Sequence, residues 1–119
     1  MVPKKKGDLG EQKALDFLKK KGYKLVHRNY RCRFGEIDLI LSKSKKLIFV
    51  EVKSGKADFI KPFQRVDKRK IKKILFAINH YISVNSQNIH RFNSYQLDVI
   101  SVQDDGTIEH FEDILSFEI

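Results

Sequence analysis

The chain has 119 residues and one cysteine, Cys32, and no apolar run approaches the ~20 residues of a membrane span. These features exclude an internal disulfide and favour one domain, residues 1–119, in the cytoplasm, with no secretory signal, no membrane partner and no CxxC pair for zinc. The net charge of +9 is polarised, because residues 1–80 hold 23 of the 24 Lys and Arg residues while residues 81–119 hold seven of the 15 acids. We therefore expect a polyanion such as DNA to bind the first two thirds of the chain.

A loose basic arm at residues 1–6 and an amphipathic helix are predicted to begin the chain. Asp8 is expected to cap the helix, Glu11 to complete a capping-box-like pattern, and Gly22 to end it after about Lys21. Apolar residues follow Glu11 at three, four and seven positions, so the helix would turn this carboxylate towards a sheet. The alternative is that Glu11 is only a first-turn acid, which interacts favourably with the helix dipole.

The remaining elements complete the order αβββαββ. Three strands with short links predict an antiparallel meander, and a long helix before the fourth strand permits a parallel crossover. The sequence therefore predicts an α/β fold with a mixed central sheet flanked by helices. The predicted bounds are strands at 23–31, 36–42 and 46–53, a loop at 54–63, a helix at 64–83, a polar loop at 84–91, and strands at 94–102 and 107–111 around an Asp105-Gly106 turn.

The stretch GEIDLILSKSKKLIFVEVK, residues 35–53, is predicted to form a hairpin. A turn centred on residues 44–45 pairs residues whose numbers sum to 89. Strand alternation then places Ile37, Leu39 and Leu41 on one wholly apolar face with their partners from the next strand. A shift by one residue would put acids against the core, so this face is strongly specified, whereas a shift by two remains open.

The other face of the hairpin carries two acids opposite each other. The register sets Asp38 across from Glu51, with Cβ atoms roughly 5 Å apart, and Lys53 on the same face. Like charges directly opposite destabilise a sheet, so three explanations are open: the face is solvated, Lys53 and nearby basic residues neutralise the pair, or the pair holds a hard divalent cation. Mg²⁺ takes oxygen ligands, including one or two carboxylates.

The second helix combines an apolar stripe with a dense positive surface. A charge run is usually a solvated face, but this one lies at the helix end nearest the EVK strand, which favours contact with phosphates. Gln64 and Lys68 extend the stripe towards the N-terminus. The stripe itself contains Ile71, Ile74, Leu75, Ile78 and Ile82, and the other faces carry Arg65, Arg69, Lys70, Lys72 and Lys73.

These residues resemble a known family. Asp38, twelve intervening residues and Glu51-Val52-Lys53 match the D…(D/E)xK signature of the restriction-endonuclease-like, PD-(D/E)XK, superfamily. The wider pattern resembles the YraN-like bacterial family, which is similar in fold to archaeal Holliday junction resolvases. It departs where Ile37 replaces the signature proline and where Gln96-Leu97-Asp98 replaces Arg-Phe-Asp. The matching stretches are GDLGEQKALDFLKKKGY, RNYRCRFGEIDLI, IFVEVKS and VDKRKIKKILFAINHYI.

The resemblance implies a three-layer restriction-endonuclease-like domain and a metal-dependent endonuclease that hydrolyses DNA phosphodiester bonds, with branched DNA as one substrate. When the family's functional residues are transferred to the matching positions of this sequence, the implied catalytic residues are Glu11, Asp38, Glu51 and Lys53. Mg²⁺ or Mn²⁺ would be held by Asp38, Glu51, Glu11 and the Val52 carbonyl. Resolvases of this fold work as dimers, so the resemblance leaves a homodimer open.

The DNA-binding residues follow from the charge pattern. Contacts to the phosphate backbone position a duplex without reading its sequence, and no base-reading motif is evident. Two alternatives remain: a nucleic-acid-binding module without catalysis, and a basic scaffold whose acidic end, residues 98–118, binds another chain. The predicted DNA contacts are Lys4, Lys5, Lys6, Arg31, Arg33, Gln64, Arg65, Lys68, Arg69 and Lys72.

Overall fold

The structure, a computed structural model, describes residues 6–55 and 68–118, with side chains at residues 9–55 and 69–114. Within these residues the predicted order αβββαββ is confirmed, with one short helix in addition. In chain order the elements are α1 (Lys6–Lys20), β1 (Lys24–Cys32), β2 (Gly35–Lys43), β3 (Lys46–Gly55), α2 (Lys68–Val84), α3 (Ser86–Ile89), β4 (Ser94–Gln103) and β5 (Ile108–Glu118).

The five strands form one mixed sheet in the order β1-β2-β3-β4-β5. The first three strands are an antiparallel meander, β4 lies parallel to β3, and β5 is antiparallel to β4. The chain passes through α2 between the two parallel strands, because parallel neighbours need a long crossover. Both the predicted meander and the predicted parallel crossover are confirmed. None of the helices in the described ranges is long and apolar enough to cross a membrane.

Helices cover both faces of the sheet, which gives three layers. Helix α1 packs on one face, against residues such as Leu39, Ile48 and Ile100, and α2 and α3 pack on the other, against Phe49 and Leu97. The central strand β3 is therefore buried on both sides, and residues 47–50 are at most 1% exposed. This double burial explains why LIFV is a continuous apolar run rather than an alternating one. The predicted α/β architecture is confirmed and is compatible with a three-layer nuclease-like fold.

Helix α1 begins earlier than predicted and ends as predicted. It starts at Lys6, so the last residue of the predicted arm is helical and residues 1–5 lie outside the described part. Asp8 lies in the first turn, where the helix dipole favours an acid, rather than at the cap. At the other end Gly22 adopts φ 93°, and the amides of Gly22 and Tyr23 donate to the carbonyls of Lys19 and Leu18 at 3.0 and 3.1 Å. This pattern is a Schellman motif, which needs a residue with positive φ at the glycine position.

The buried face of α2 is rotated relative to the predicted stripe. Ile74 and Ile78 are buried as predicted, but Ala77 and Tyr81 complete the buried face, while Ile71 is only half-buried. Two adjacent stripes of this helix are apolar. The stripe that packs on the sheet is the one with a small residue, Ala77, at its centre. The predicted helix start near residue 64 lies outside the described residues.

Two elements of the C-terminal third differ from the prediction. Strand β5 continues to Glu118 instead of ending near residue 111. An irregularity opposite residues 97–99 of β4, where Asp113 adopts φ 57°, interrupts the pairing at the acidic residues Glu112 and Asp113, and the strand then resumes. The predicted polar loop contains α3, whose Ile89 is buried with Phe92 against the sheet. The burial of Ile89 and Phe92 thus holds part of the predicted loop in place as a short helix.

Candidate functional site

Strands β2 and β3 separate at the acid pair. From the turn to the pair Leu39 and Val50 they follow the predicted register, in which residue numbers sum to 89, and the pairing then stops. Asp38 Oδ2 accepts a hydrogen bond of 2.7 Å from the Val52 amide. A side-chain carboxylate therefore satisfies an amide that a regular ladder would pair with a main-chain carbonyl of β2.

The separation of the strands changes the face on which Ile37 lies. Leu39 and Leu41 pack beneath α1, whereas Ile37 joins the cluster beneath α2 that contains Ile40. The prediction that Ile37 shares the face of Leu39 and Leu41 is wrong. Strict alternation holds only while the ladder is regular, and the Asp38 contact interrupts the ladder directly after Ile37.

The structure brings Asp38 and Glu51 together, as the register predicts. The Glu51 side chain is 12% exposed, so a fully solvated face does not explain it. Burial, followed by the hydrogen bond to Asp38 and the charge of Asp38, raises the pKa of Glu51 to about 8, against the opposing charges of Lys70 and Lys53. Without a metal, the Glu51 carboxyl group therefore keeps its proton at neutral pH.

Two lysines complete the cluster. Lys70 Nζ lies 3.8 Å from Glu51 Oε1. Burial, then the hydrogen bond and charge of Lys70, lower the pKa of Lys53, and the nearby Glu51 and Asp38 only partly oppose this. Lys53 was predicted as a member of the site, but Lys70 was placed on the outer surface. A signal for Lys70 existed, because it precedes the buried Ile74 by one helical turn.

A basic cavity of about 700 Å³ lies beside Glu51, the member of the acid pair that lines it. Its wall is formed by the β1–β2 turn on one side and the first turns of α2 on the other. Glu36 is also at the wall, and its carboxylate Oε2 lies 3.2 Å from Arg31 Nε in an exposed ion pair. The positive lining residues are Arg31, Arg33, Arg69, Lys70 and Lys73, and Glu51 lies among them.

The predicted DNA contacts divide into three groups. Arg31, Arg33 and Arg69 line the cavity. Lys72 is exposed on α2 but is not part of the lining. The other predicted contacts have side chains outside the described residues, namely Lys4, Lys5, Lys6, Gln64, Arg65 and Lys68.

Glu11 lies on the sheet-facing side of α1, as the stripe predicts. The helix approaches the end of β3 closely, since a Cβ on Gly10 would meet the Ser54 side chain. Arg28 on β1 reaches back to the helix, with Nε 3.8 Å from Glu11 Oε1 and NH1 donating to Gln12 at 2.7 Å. The carboxylate of Glu11 is thus held by Arg28 on the α1 face, and its role as a metal ligand remains a prediction.

A second polar cluster lies between β4 and β5. Asp98 is fully buried, and its carboxylate accepts hydrogen bonds from His110 Nε2 at 2.7 Å, the Asp113 amide at 2.8 Å and the Gln96 amide group at 2.9 Å. Within the described ranges, Asp98, His110 and Glu112 form the one group of three potential ligands whose atoms lie within 4.8 Å of one another. No spacing in the sequence indicates this cluster, because the irregularity of β5 that joins these residues has no local signature.

Contacts from α1 and from the turn between α1 and β1 enclose this cluster. Lys21 Nζ lies 2.8 Å from His110 Nδ1, and the Tyr23 hydroxyl donates to Glu112 Oε1 at 3.1 Å. The ring of His110 also packs edge-on against Phe17 and Tyr23. Every polar group of the buried Asp98–His110 pair thus has a protein partner, which explains how a carboxylate is tolerated in the core.

The comparison with known proteins gives one family. The profile described as "Uncharacterised protein family UPF0102" matches residues 10–102, a span that includes Glu11, Asp38, Glu51 and Lys53. The chain is 51% identical over 104 residues to a UPF0102 protein of Pseudothermotoga lettingae. This match covers 87% of this chain and 92% of the relative. It is 44% identical over 110 residues to one from Kosmotoga olearia, with 92% of both chains covered. The resemblance to the YraN-like family is thereby confirmed, and the chain belongs to the UPF0102 family.

Proposed function

We propose that this protein is a metal-dependent nuclease that hydrolyses DNA phosphodiester bonds. The observation that carries the proposal is the cluster of Asp38, Glu51 and Lys53, whose member Glu51 lines a cavity together with five cationic side chains. Buried acids with perturbed pKa values in a cleft are more common at functional sites than elsewhere. The surrounding positive charge matches a phosphodiester backbone.

The acid pair fits a divalent cation. A bound cation would displace the proton from the Glu51 carboxyl group, and both carboxylates would then offer oxygen ligands. Asp38 and Glu51 would hold Mg²⁺ or Mn²⁺, with the Val52 carbonyl and Glu11 as the further predicted ligands. When bound, the ion would lower the pKa of a water and polarise a phosphoryl oxygen.

The side chains around the acids have distinct tasks in this proposal. Lys53 is held beside Glu51 and donates to the scissile phosphate, where negative charge increases during hydrolysis. Lys70 opposes the charge of the acids, and its own positive charge lowers the pKa of the neighbouring Lys53. Arg31, Arg33 and Arg69 bind phosphates on either side of the scissile bond. Since these contacts read no bases, binding depends weakly on sequence.

The test is cleavage of labelled DNA with Mg²⁺, with Mn²⁺ and with EDTA. The substrates are a single strand, a continuous duplex, a flap and a four-way junction. The isosteric variants Asp38→Asn and Glu51→Gln are expected to lose cleavage, and Lys53→Met to slow it by roughly a hundredfold or more. The matched control is Glu36→Gln, which removes an exposed acid from the wall of the same cavity and is expected to cut normally.

Each outcome decides between the candidates. Metal-dependent cutting that both acid variants lose supports the nuclease. Salt-sensitive DNA binding by the wild type without cutting under either metal supports a binding module and refutes catalysis. An absence of DNA binding refutes both and favours the scaffold alternative, in which the acidic C-terminal third binds a protein.

A further inference from the structure

We infer that Phe34 and Phe76 form an aromatic platform that stacks against an unpaired base of the bound nucleic acid. This inference rests on the proposed function and adds to it the class of substrate: DNA with a single-stranded segment next to the acid pair. Phe34 belongs to the β1–β2 turn and Phe76 to the middle of α2.

The two rings are exposed although they are in contact. Phe34 is 57% exposed and Phe76 is 47% exposed, with ring centroids 5.8 Å apart and planes inclined at 41°. Neither ring belongs to either core cluster of the sheet. Two adjacent large apolar side chains that remain half in water offer a surface that another flat, apolar group can cover. A nucleobase presents such a face whatever its sequence.

The surroundings of the platform favour a nucleic acid as its occupant. Phe34 lines the same cavity as Glu51, and the guanidinium of Arg33 lies 5.7 Å from the centre of the Phe34 ring. Arg69 and Lys73 line the same cavity. A second copy that used the same patch would bring like charges together, whereas a phosphate backbone would neutralise them.

The platform is held rigidly next to the acid pair. Gly35 follows Phe34, and a Cβ at this position would lie 2.5 Å from the main-chain carbonyl oxygen of Lys73. The β1–β2 turn therefore packs directly on the backbone of α2, which keeps Phe34 beside Phe76. A surface that is ordered before binding does not pay for ordering when a ligand arrives.

Stacking on this platform requires a base whose face is free. In a continuous duplex each base is stacked between its neighbours, so its face is covered, and a protein reaches it only at an end, in a single strand or after it is flipped out. Phosphate contacts in the cavity serve either form of DNA. The aromatic contact therefore adds affinity for single-stranded segments and little for continuous duplex.

The experiment measures DNA binding by fluorescence anisotropy in the Glu51→Gln protein, which binds without cutting. The probes are a labelled mixed-sequence single strand and the matched blunt duplex. Phe34→Ala and Phe76→Ala are each expected to weaken single-strand binding by roughly tenfold, with less than about a twofold change for the duplex. Phe34→Trp is expected to retain single-strand affinity. Val84→Ala, an exposed position at the far end of α2, is the control.

The outcomes separate this inference from the proposed function. Equal losses on both probes, or no loss on either, overturn the platform while leaving the nuclease intact. If the Glu51→Gln protein binds neither probe, the proposed function fails as well. A wild-type dimer that becomes monomeric in Phe76→Ala, measured by sedimentation, shows that a second copy covers the rings and also overturns the inference. Thermal unfolding of each variant confirms that it is folded.

Discussion

The substitution Glu51→Gln is expected to stabilise the metal-free protein above neutral pH. Burial and Asp38 raise the pKa of Glu51 from 4.5 to about 8. The folded chain therefore keeps a proton that the unfolded chain releases, and the free energy of unfolding falls as the pH rises from about 4.5 to about 8. The introduced amide is neutral at every pH and can still donate to Asp38, so this fall disappears in the variant.

The structure sets the size of the effect. Each tenfold difference in proton affinity corresponds to ~1.4 kcal/mol, and the Glu51 side chain is only 12% exposed, so solvent screening reduces the effect little. Structural relaxation reduces it further, whereas the charge of Lys70 is already included in the pKa of about 8. We expect the free energy of unfolding of Glu51→Gln to be roughly 2–4 kcal/mol higher than that of the wild type near pH 8. Near pH 5 we expect the two values to be equal.

The assay is urea unfolding followed by circular dichroism at several pH values, in EDTA so that no divalent cation competes with the proton. The control is Glu36→Gln, an exposed acid of the same cavity, which is expected to leave the wild-type slope unchanged. If wild type and Glu51→Gln lose stability in parallel between these pH values, the raised pKa of Glu51 is refuted. A wild type that becomes more stable as the pH rises would contradict it as well.

Three further outcomes follow from the same structure. Gly35→Ala is expected to cost about 1–3 kcal/mol in urea unfolding, because the new Cβ meets the Lys73 carbonyl oxygen, and an unchanged midpoint would contradict that close approach. His110→Ala is expected to cost about 2–4 kcal/mol, since it removes one of three donors from the buried Asp98 carboxylate, and His110→Gln should recover part of the loss. Mg²⁺ at a hundred times its dissociation constant is expected to raise the free energy of unfolding of the wild type by about 2.7 kcal/mol. Asp38→Asn should show no such gain in calorimetry, and equal gains would place the ion elsewhere.

Most of the fold could be predicted because its signals are local. The β2–β3 register follows from a short turn and from apolar residues on both strands, and the parallel crossover follows from the length of α2. The acid pair followed from that register. These patterns involve residues close in sequence, where alternation and helical spacing decide the geometry.

The rest depends on contacts between distant segments. Ile37 was assigned to the wrong face because the Asp38 carboxylate interrupts a ladder that the pattern treats as regular. Lys70 was placed outside because two neighbouring stripes of α2 are apolar and only the sheet selects between them. His110 reaches Asp98 through an irregularity in β5, and nothing in the spacing of either strand indicates it.

The hydrogen bond between Asp38 and the Val52 amide has a consequence for the order in which the site assembles. It joins residues only 14 positions apart, within a hairpin that closes quickly. Lys70 approaches only when the crossover docks and β4 pairs with β3, a contact between segments far apart in sequence, which is intrinsically slow. The acid pair, together with Arg31 and Arg33, thus belongs to an early folding unit, and the cations on α2 belong to a late one. A loosened α2 leaves a chain that still presents its two carboxyl groups but has lost the three cations that α2 adds to the cavity, Arg69, Lys70 and Lys73.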